Sequence, residues 1–133
     1  AAMQAHGLDN HLQIRKTANG ADETEDRQLA REVLSAPNRP TAVFAWHDAT
    51  AMHVMAEAAA LGLRVPQDLA IVGYDNFRVS AMPQIGLTSV DQDPHAIGAN
   101  AAELLIERIE GRTEPVHHTT APTLVVRASS ASV

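Results

Sequence analysis

Two short apolar runs separated by a helix-like segment constrain the fold of this 133-residue chain more than any other feature. The runs occupy residues 41–46 and 69–74, and the segment between them, 49–61, is rich in alanine and methionine. Short apolar runs joined by a helix are typical of parallel strands with a crossover connection. The sequence therefore predicts an α/β fold in which a parallel sheet is flanked by helices.

The composition excludes several classes of protein. The chain is 45% hydrophobic and has a formal net charge of −6, and its 10 basic residues are scattered along the sequence. Nucleic-acid binding needs basic residues clustered on one face, so this segment is not expected to bind DNA by itself. No apolar run approaches the roughly 18 residues that span a bilayer, so we expect no membrane partner. The absence of cysteine excludes disulfides and cysteine-ligated zinc.

Further strands and helices are predicted on both sides of this unit. They are a strand at 12–18, a helix at 23–36, a strand at 85–90, a helix at 94–110, and strands at 116–120 and 123–127. Residues 1–7 have the pattern of the last turns of a helix closed by a C-cap glycine. Since a domain seldom begins inside a helix, we expect the chain to be a piece of a longer domain.

The helix predicted at 94–110 has clear boundary signals. Asp93 is a helix cap followed by Pro94 at the first helical position, and Gly111 ends the helix. Apolar residues recur along it at helical spacing. We expect it to bury five of them, namely Ile97, Ala101, Leu104, Leu105 and Ile109.

Polar side chains follow both apolar runs where each predicted strand ends. His47 and Asp48 follow the first run, and Asp75 and Asn76 follow the second. In parallel sheets small ligands bind just beyond the carboxyl ends of the strands, so these residues mark a candidate binding site. Asp48 is also well placed to cap the next helix, which is the interpretation we favour for it. Trp46 is expected in the core, with the lining of a cleft as the alternative.

Six segments of the chain together resemble a known family. They are Ala-Val-Phe-Ala-Trp-His-Asp (42–48), Gly-Leu-Arg-Val-Pro-Gln-Asp (62–68), Ile-Val-Gly-Tyr-Asp-Asn (71–76), Leu-Thr-Ser-Val-Asp-Gln (87–92), Gly-Ala-Asn-Ala-Ala-Glu-Leu-Leu (98–105) and Leu-Val-Val-Arg-Ala-Ser-Ser (124–130). Each motif is weak alone, but the six occur in order and with matching spacing. The chain resembles the carboxyl-terminal half of the effector domain of lactose-/galactose-repressor-type (LacI/GalR-type) bacterial transcription regulators.

The resemblance implies part of a periplasmic-binding-protein-like (type I) fold. In that family an amino-terminal helix-turn-helix reads operator DNA as a dimer. A small molecule, such as a sugar or a related polar metabolite, binds between two lobes and changes operator affinity. By that template residues 1–86 belong mostly to the second lobe, 87–120 cross into the first lobe, and 121–133 return. The DNA-binding headpiece and nearly all of the first lobe would then lie outside this chain, and the crossing helix would expose apolar surface.

The resemblance also nominates effector-binding residues. Asp75 matches a position whose carboxylate accepts hydrogen bonds from the ligand, with a turn-forming role as the alternative. His47 stands where many relatives have an asparagine that contacts the sugar, with a loop histidine as the alternative. Gln92 matches a glutamine at the crossing between lobes, where it would bind the ligand or only stabilise the crossing. Asp22 falls near a position that often carries an aromatic ring against the ligand.

The helix after His47 is expected to contribute to a dimer. In the family this helix lies in the dimer interface, and here it carries a stripe at helical spacing that consists of Met52, Met55, Ala56 and Ala59. Methionine adapts to irregular surfaces. An ordinary core face is the alternative interpretation of the stripe.

The leading functional interpretation is an allosteric binding module of a cytoplasmic regulator, which is not an enzyme and needs no cofactor or metal. A solute-binding protein of an ABC-type importer shares the fold and is the alternative. A third interpretation is an enzyme in which Asp48 and Asp75 hold Mg²⁺ for phosphoryl chemistry. No phosphate-binding glycine-rich loop accompanies these two carboxylates.

Overall fold

The computed structural model describes residues 2–17 and 22–131, which form four helices and a four-stranded sheet. The helices are α1 (Ala2–Ala5), α2 (Glu23–Ser35), α3 (Asp48–Ala60) and α4 (Pro94–Ile109). The strands are β1 (Ala42–Phe44), β2 (Ala70–Tyr74), β3 (Thr88–Asp91) and β4 (Thr123–Val125). Two short 3₁₀ turns lie at Asp9–His11 and Arg78–Ala81.

The sheet has the strand order β1-β2-β3-β4. Strands β1, β2 and β3 are parallel, and β4 pairs antiparallel with β3. Phe44 lies beside Val72 in this register, and Tyr74 lies beside Val90. The α/β fold with a predominantly parallel sheet is therefore confirmed. The strands at 41–46, 69–74, 85–90 and 123–127 are also confirmed, although each is shorter than predicted.

Two predicted strands are wrong. Residues 12–17 form no strand, and Ala18, the last residue of that prediction, lies outside the described residues. Residues 116–120 form no strand either. A strand is stable only beside a partner, and within the described part of the chain the sheet ends at β1 on one side and β4 on the other. The local sequence of these two segments therefore did not suffice to form strands.

Helix α3 packs on β2 at one face of the sheet, and α2 packs on α3. The core between them and the sheet consists of Ala30, Leu34, Ala45, Ala51, Val54, Ala58, Leu69, Ile71 and Leu87. Small alanines at the facing positions of α3 let the helix approach β2 closely. This packing fixes the start of α3, and hence His47, relative to the ends of the strands.

Helix α4 contains no buried residue, so the prediction that it buries Ile97, Ala101, Leu104, Leu105 and Ile109 is wrong for the chain as described. Leu105 is 61% exposed and Ile109 is 77% exposed. The helix forms as predicted, since Asp93 caps it with Oδ1 accepting from the Ala96 N–H at 3.0 Å. The described residues leave most of its apolar side without a packing partner, as the family template implied.

The opposite face of the sheet is also incompletely covered. Phe44 and Leu124 are exposed, and they share this face with the half-buried Val72, Tyr74 and Val90. Parallel sheets are normally covered on both faces. The described residues therefore form one complete layer of packing and leave a second apolar face open.

Candidate ligand-binding site at the carboxyl edge of the sheet

Three of the four nominated residues follow the carboxyl ends of the parallel strands. His47 follows β1, Asp75 follows β2 and Gln92 follows β3. Because β1, β2 and β3 are neighbours and run in the same direction, their carboxyl ends meet at one edge of the sheet. The chain thus brings these three polar side chains to the place where open α/β sheets bind ligands.

Asp75 and Gln92 form a direct pair at this edge. The Gln92 side-chain amide donates to Asp75 Oδ1 at 2.7 Å, and the Asp75 backbone N–H donates to Val90 O at 2.9 Å. Within the described part of the chain the second oxygen, Oδ2, accepts no hydrogen bond. An ionised carboxylate accepts hydrogen bonds through both oxygens. The pair therefore orients Asp75 and leaves acceptor capacity for a ligand hydroxyl or N–H group.

Asp75 also lies at a bend of the backbone. Its φ is 95° and that of Asn76 is 49°, so two consecutive residues with side chains adopt the left-handed region. Such conformations are unfavourable outside glycine, although Asn and Asp tolerate them best. Asp75 is therefore both a turn residue and a candidate acceptor, and the two interpretations of it are compatible.

His47, and not Asp48, is the N-cap of α3, so that part of the sequence prediction is wrong. The Thr50 backbone N–H donates to His47 Nδ1 at 2.9 Å. Histidine is an uncommon cap, but a ring nitrogen without a proton can accept this bond. With Nδ1 as the acceptor, the proton of the neutral ring is on Nε2. His47 can therefore donate one hydrogen bond to a ligand from that atom.

Trp46 is 60% exposed, so its predicted place in the core is also wrong. Successive side chains after β1 still point to opposite faces of the sheet. Ala45 faces the core, so the Trp46 side chain faces away from it. The Trp46 and His47 rings are in contact, with centroids 4.0 Å apart and planes tilted by 35°. The chain therefore presents an aromatic surface at the edge that bears His47.

Asp48 is fully buried beneath this edge. Its Oδ1 accepts from Ser89 Oγ at 2.6 Å, and its Oδ2 accepts from Ser80 Oγ at 2.5 Å and from the Phe77 N–H at 2.7 Å. Both oxygens are thus engaged by protein donors. This arrangement argues against Asp48 as a Mg²⁺ ligand, and the described residues contain no group of three acidic or histidine side chains that could hold a metal.

A second hydrogen-bonded group, which sequence inspection missed, supports the same edge. The Asn76 side chain donates to Asp91 Oδ2 at 2.9 Å and accepts from Arg127 Nη2 at 2.6 Å. The Asn76 amide and the Asp93 N–H both donate to the Asp91 carboxylate, and they hold the pKa of Asp91 below its usual value. Arg127 lies 51 residues from Asn76 in sequence, so no local pattern signals this contact.

Asp22 caps helix α2, accepting from the Thr24 N–H at 2.8 Å and the Glu25 N–H at 3.1 Å. One turn later, Asp26 accepts from Thr50 Oγ1 at 2.6 Å, which places the start of α2 beside the start of α3. The predicted start of this helix at residue 23 is confirmed. The predicted contact of Asp22 with an effector stays a prediction. In this structure the Asp22 carboxylate binds two backbone N–H groups of the helix.

The Met52, Met55 and Ala59 stripe lies beside the buried face of α3. The helix buries Ala51, Val54 and Ala58, whereas Ala59 is exposed and Met55 is partly buried against the core. Met52 is also partly buried. The stripe is therefore not the main core face, and its predicted place in a dimer stays a prediction.

Comparisons with known proteins agree on the family. The family described as a periplasmic binding protein-like domain matches residues 1–130. The HTH-type transcriptional repressor PurR of Escherichia coli O139:H28 (strain E24377A / ETEC) is 40% identical over 102 residues, which cover 76% of this chain and 30% of that protein.

Solved structures give the same result for the fold. A LacI transcriptional regulator from a Rhodococcus species superposes with a TM-score of 0.88 at 32% identity, over 97% of this chain and 47% of that one. The transcriptional regulator CelR in complex with cellobiose superposes with a TM-score of 0.82 at 32% identity, over 97% of this chain and 39% of that one.

The chain belongs to the periplasmic binding protein-like domain family and covers part of the effector domain of the LacI type. This confirms the resemblance of its six sequence motifs. The chain spans 30% of the length of the PurR relative and 47% of the Rhodococcus regulator. No helix among residues 2–17 and 22–131 is long and apolar enough to cross a membrane.

Proposed function

We propose that this chain is the effector-binding portion of a bacterial transcription regulator. A small molecule binds between two lobes and shifts an equilibrium between forms with high and low affinity for operator DNA. This segment is acidic and lacks a basic cluster, so it is not the part that contacts DNA. A helix-turn-helix elsewhere in the intact protein makes that contact. Residues 1–86 belong mostly to the second lobe, 87–120 cross into the first, and 121–133 return.

The observation that carries this proposal is the polar group at the carboxyl edge of the sheet. Asp75 is oriented by Gln92 with acceptor capacity remaining, and His47 offers a donor from Nε2. Both kinds of group are needed to bind a polyhydroxyl or similarly polar metabolite. The relatives that share this fold are named as transcriptional regulators, and one of them was solved with cellobiose.

The exposed apolar surfaces fit the same proposal. The apolar side of α4 and the open sheet face require covering by other parts of the protein. We assign the face of α4 to the first lobe. We assign the flank of α3 that carries Met52, Met55 and Ala59 to a homodimer interface. A regulator of this kind works in the cytoplasm, where its operator is, and it catalyses no reaction.

The importer alternative has no specific observation in its favour. An importer component of this fold would bind its ligand at the same edge, so the geometry of the site does not separate the two functions, although the relatives in the comparisons are regulators. The coding DNA immediately upstream of Ala1 does separate them. An in-frame region encoding a helix-turn-helix supports the regulator, whereas a signal peptide would establish the importer in its place.

Replacement of Asp75 by alanine tests the site in the intact protein. We expect Asp75→Ala to keep operator binding and to lose effector-triggered release, because loss of a charged acceptor weakens ligand binding by about 1.5–3 kcal/mol. The measurement is fluorescence anisotropy of labelled operator DNA during titration with a panel of sugars that begins with cellobiose.

Asp68→Ala is the matched control for that experiment. Asp68 is also an aspartate next to β2, but it precedes the strand and so lies at the opposite edge of the sheet. Its carboxylate is bound to Arg64, with Oδ2 2.7 Å from Nε. The control should release DNA like the wild-type protein. A normal response of Asp75→Ala to an active effector would show that the site assignment is wrong.

A further inference from the structure

Asp48 connects three parts of the candidate site without contacting a ligand itself. It lies in the first turn of α3, directly after His47. It binds Phe77 and Ser80 in the loop that follows Asp75, and it binds Ser89 in β3, the strand that leads to Gln92. One carboxylate thus joins the segments that carry all three candidate contacts at this edge.

The turn that Asp48 holds is one that would relax without support. Asp75 and Asn76 both have left-handed backbone conformations, with φ of 95° and 49°. Conformations of this kind persist only where surrounding contacts impose them. The contacts are visible here: the Asn76 N–H donates to Ser89 Oγ at 3.0 Å, and the Phe77 N–H donates to Asp48 Oδ2 at 2.7 Å.

Ser89 connects the Asp48 carboxylate to the turn through two hydrogen bonds. Its hydroxyl donates its single proton to Asp48 Oδ1 and therefore accepts from Asn76 with its oxygen. Removal of the Asp48 charge takes away the acceptor that fixes the direction of this hydroxyl. A neutral amide at position 48 cannot accept from Ser80, Ser89 and Phe77 through both of its terminal atoms, because its nitrogen is a donor.

The sheet makes room for this carboxylate at one position. A Cβ atom on Gly73, in the middle strand β2, would overlap Asp48 Oδ1 and would also contact Leu87 and Ala51. The carboxylate therefore crosses directly above the β2 backbone to reach β3. This close approach explains why the otherwise apolar strand Ala70–Tyr74 contains a glycine immediately before Tyr74.

We propose that Asp48 is a positioning residue that locks residues 75–80 onto β3 and thereby fixes the direction of the Asp75 carboxylate. The consequence for effector binding rests on the proposed function, but the locking itself does not. Asp48 is fully buried, and a buried carboxylate without hydrogen-bond donors is strongly unfavourable. Its three hydrogen bonds are therefore strongly favoured and hold residues 77, 80 and 89 in place.

Hydrogen exchange in the intact protein tests the lock without any ligand. We expect Asp48→Asn to speed exchange of the backbone amides of residues 75–80 about tenfold or more beyond any change in global stability. We also expect the side-chain amide signals of Gln92 to shift in nuclear magnetic resonance spectra of glutamine-labelled protein. That second readout reports the Gln92–Asp75 bond, which a change in stability alone does not alter.

Glu57→Gln is the matched control. Glu57 is a second buried carboxylate on α3, bound to Arg27 with Oε1 2.9 Å from Nε. It lies nine residues after Asp48, which is about 13 Å along the helix. We expect Glu57→Gln to destabilise the protein while leaving both readouts at residues 75–80 and Gln92 as in the wild type. Equal local exchange in both variants would overturn the proposal and leave Asp48 as a purely structural residue.

Serine variants keep the test decisive if Asp48→Asn does not fold. Ser89→Ala removes the acceptor of the Asn76 N–H together with one Asp48 contact, whereas Ser80→Ala removes only an Asp48 contact. We expect Ser89→Ala to have the larger effect on both readouts. No effect of Ser89→Ala would overturn the proposal. If the lock behaves as expected but no effector acts on the intact protein, the proposed function fails and the positioning role stands.

Discussion

Helices α3 and α4 begin in the same way and end up in opposite environments. Each follows a parallel strand, each starts at a side-chain cap, and each is rich in alanine. Helix α3 buries five residues between α2 and the sheet, whereas α4 buries none. Local signals therefore decide that a helix forms and where it begins. Whether its apolar side becomes core depends on what the rest of the protein places beside it.

The largest expected effect is a difference in stability between a substitution in the core under α3 and one on the exposed side of α4. Ile71, in the core under α3, is fully buried, whereas Ile109 at the end of α4 is 77% exposed. We expect Ile71→Ala to lower the free energy of unfolding of this chain by about 2–5 kcal/mol through loss of burial and a residual cavity. Ile109→Ala removes the same atoms and should change it by less than about 0.5 kcal/mol. Urea denaturation checks both values, and similar losses would contradict the described exposure of α4.

Removal of the two helix caps should have effects that differ in kind as well as in size. Loss of the Asp93 side chain in Asp93→Ala costs about 1 kcal/mol of helix stability. Because α4 contributes nothing to the core, we expect a local loss of helical circular dichroism with an unchanged global unfolding midpoint. His47→Ala should instead lower the global midpoint, since α3 unfolds only with the core. A fall of the midpoint in Asp93→Ala would show that α4 is coupled to the core after all.

A polar substitution on α4 should sharpen the assignment of its apolar face to the first lobe. In the 133-residue chain, Leu105→Ser should change stability by less than about 0.5 kcal/mol, because the side chain is already 61% exposed. In the intact protein the same change should lower the thermal midpoint, since the proposed first lobe would bury this residue. An exposed substitution on α2, Gln28→Ser, serves as the control in both proteins. Equal, small effects in the intact protein would remove the first lobe as the cover of α4.

The smallest effect concerns the turn that leads from α3 into β2. A hydrogen-bonded ion pair with Arg64 lowers the pKa of Asp68. A carboxylate whose folded pKa is below its unfolded value, near 4, stabilises the fold above that pH and loses this contribution as the pH falls further. We therefore expect Asp68→Asn to flatten the decline of stability below about pH 4. The effect is small because solvent screens this exposed pair. Urea unfolding midpoints between pH 5 and pH 2 check it, and an unchanged slope would contradict it.

The candidate site was predictable in its position but not in its contacts. Asp75, His47 and Gln92 follow strand ends or family motifs, so their common edge could be inferred from the chain alone. That His47 caps α3 in place of Asp48 could not be inferred. Both are polar residues at a helix start, and only the close approach of Asp48 to Gly73 and β3 takes its carboxylate away from its own helix.

The sequence by itself determined the α/β class, the parallel strands, the helix boundaries and the family, because these depend on periodicity, caps and motifs within short windows. It also determined that α4 would form. Tertiary structure alone decided that 12–17 and 116–120 are not strands, that Trp46 is exposed, and that Asp48 is buried under the turn at Asp75. The physical reason is common to these cases. Pairing, burial and buried hydrogen bonds need partners distant in sequence, such as Arg127 for Asn76 and Ser89 for Asp48.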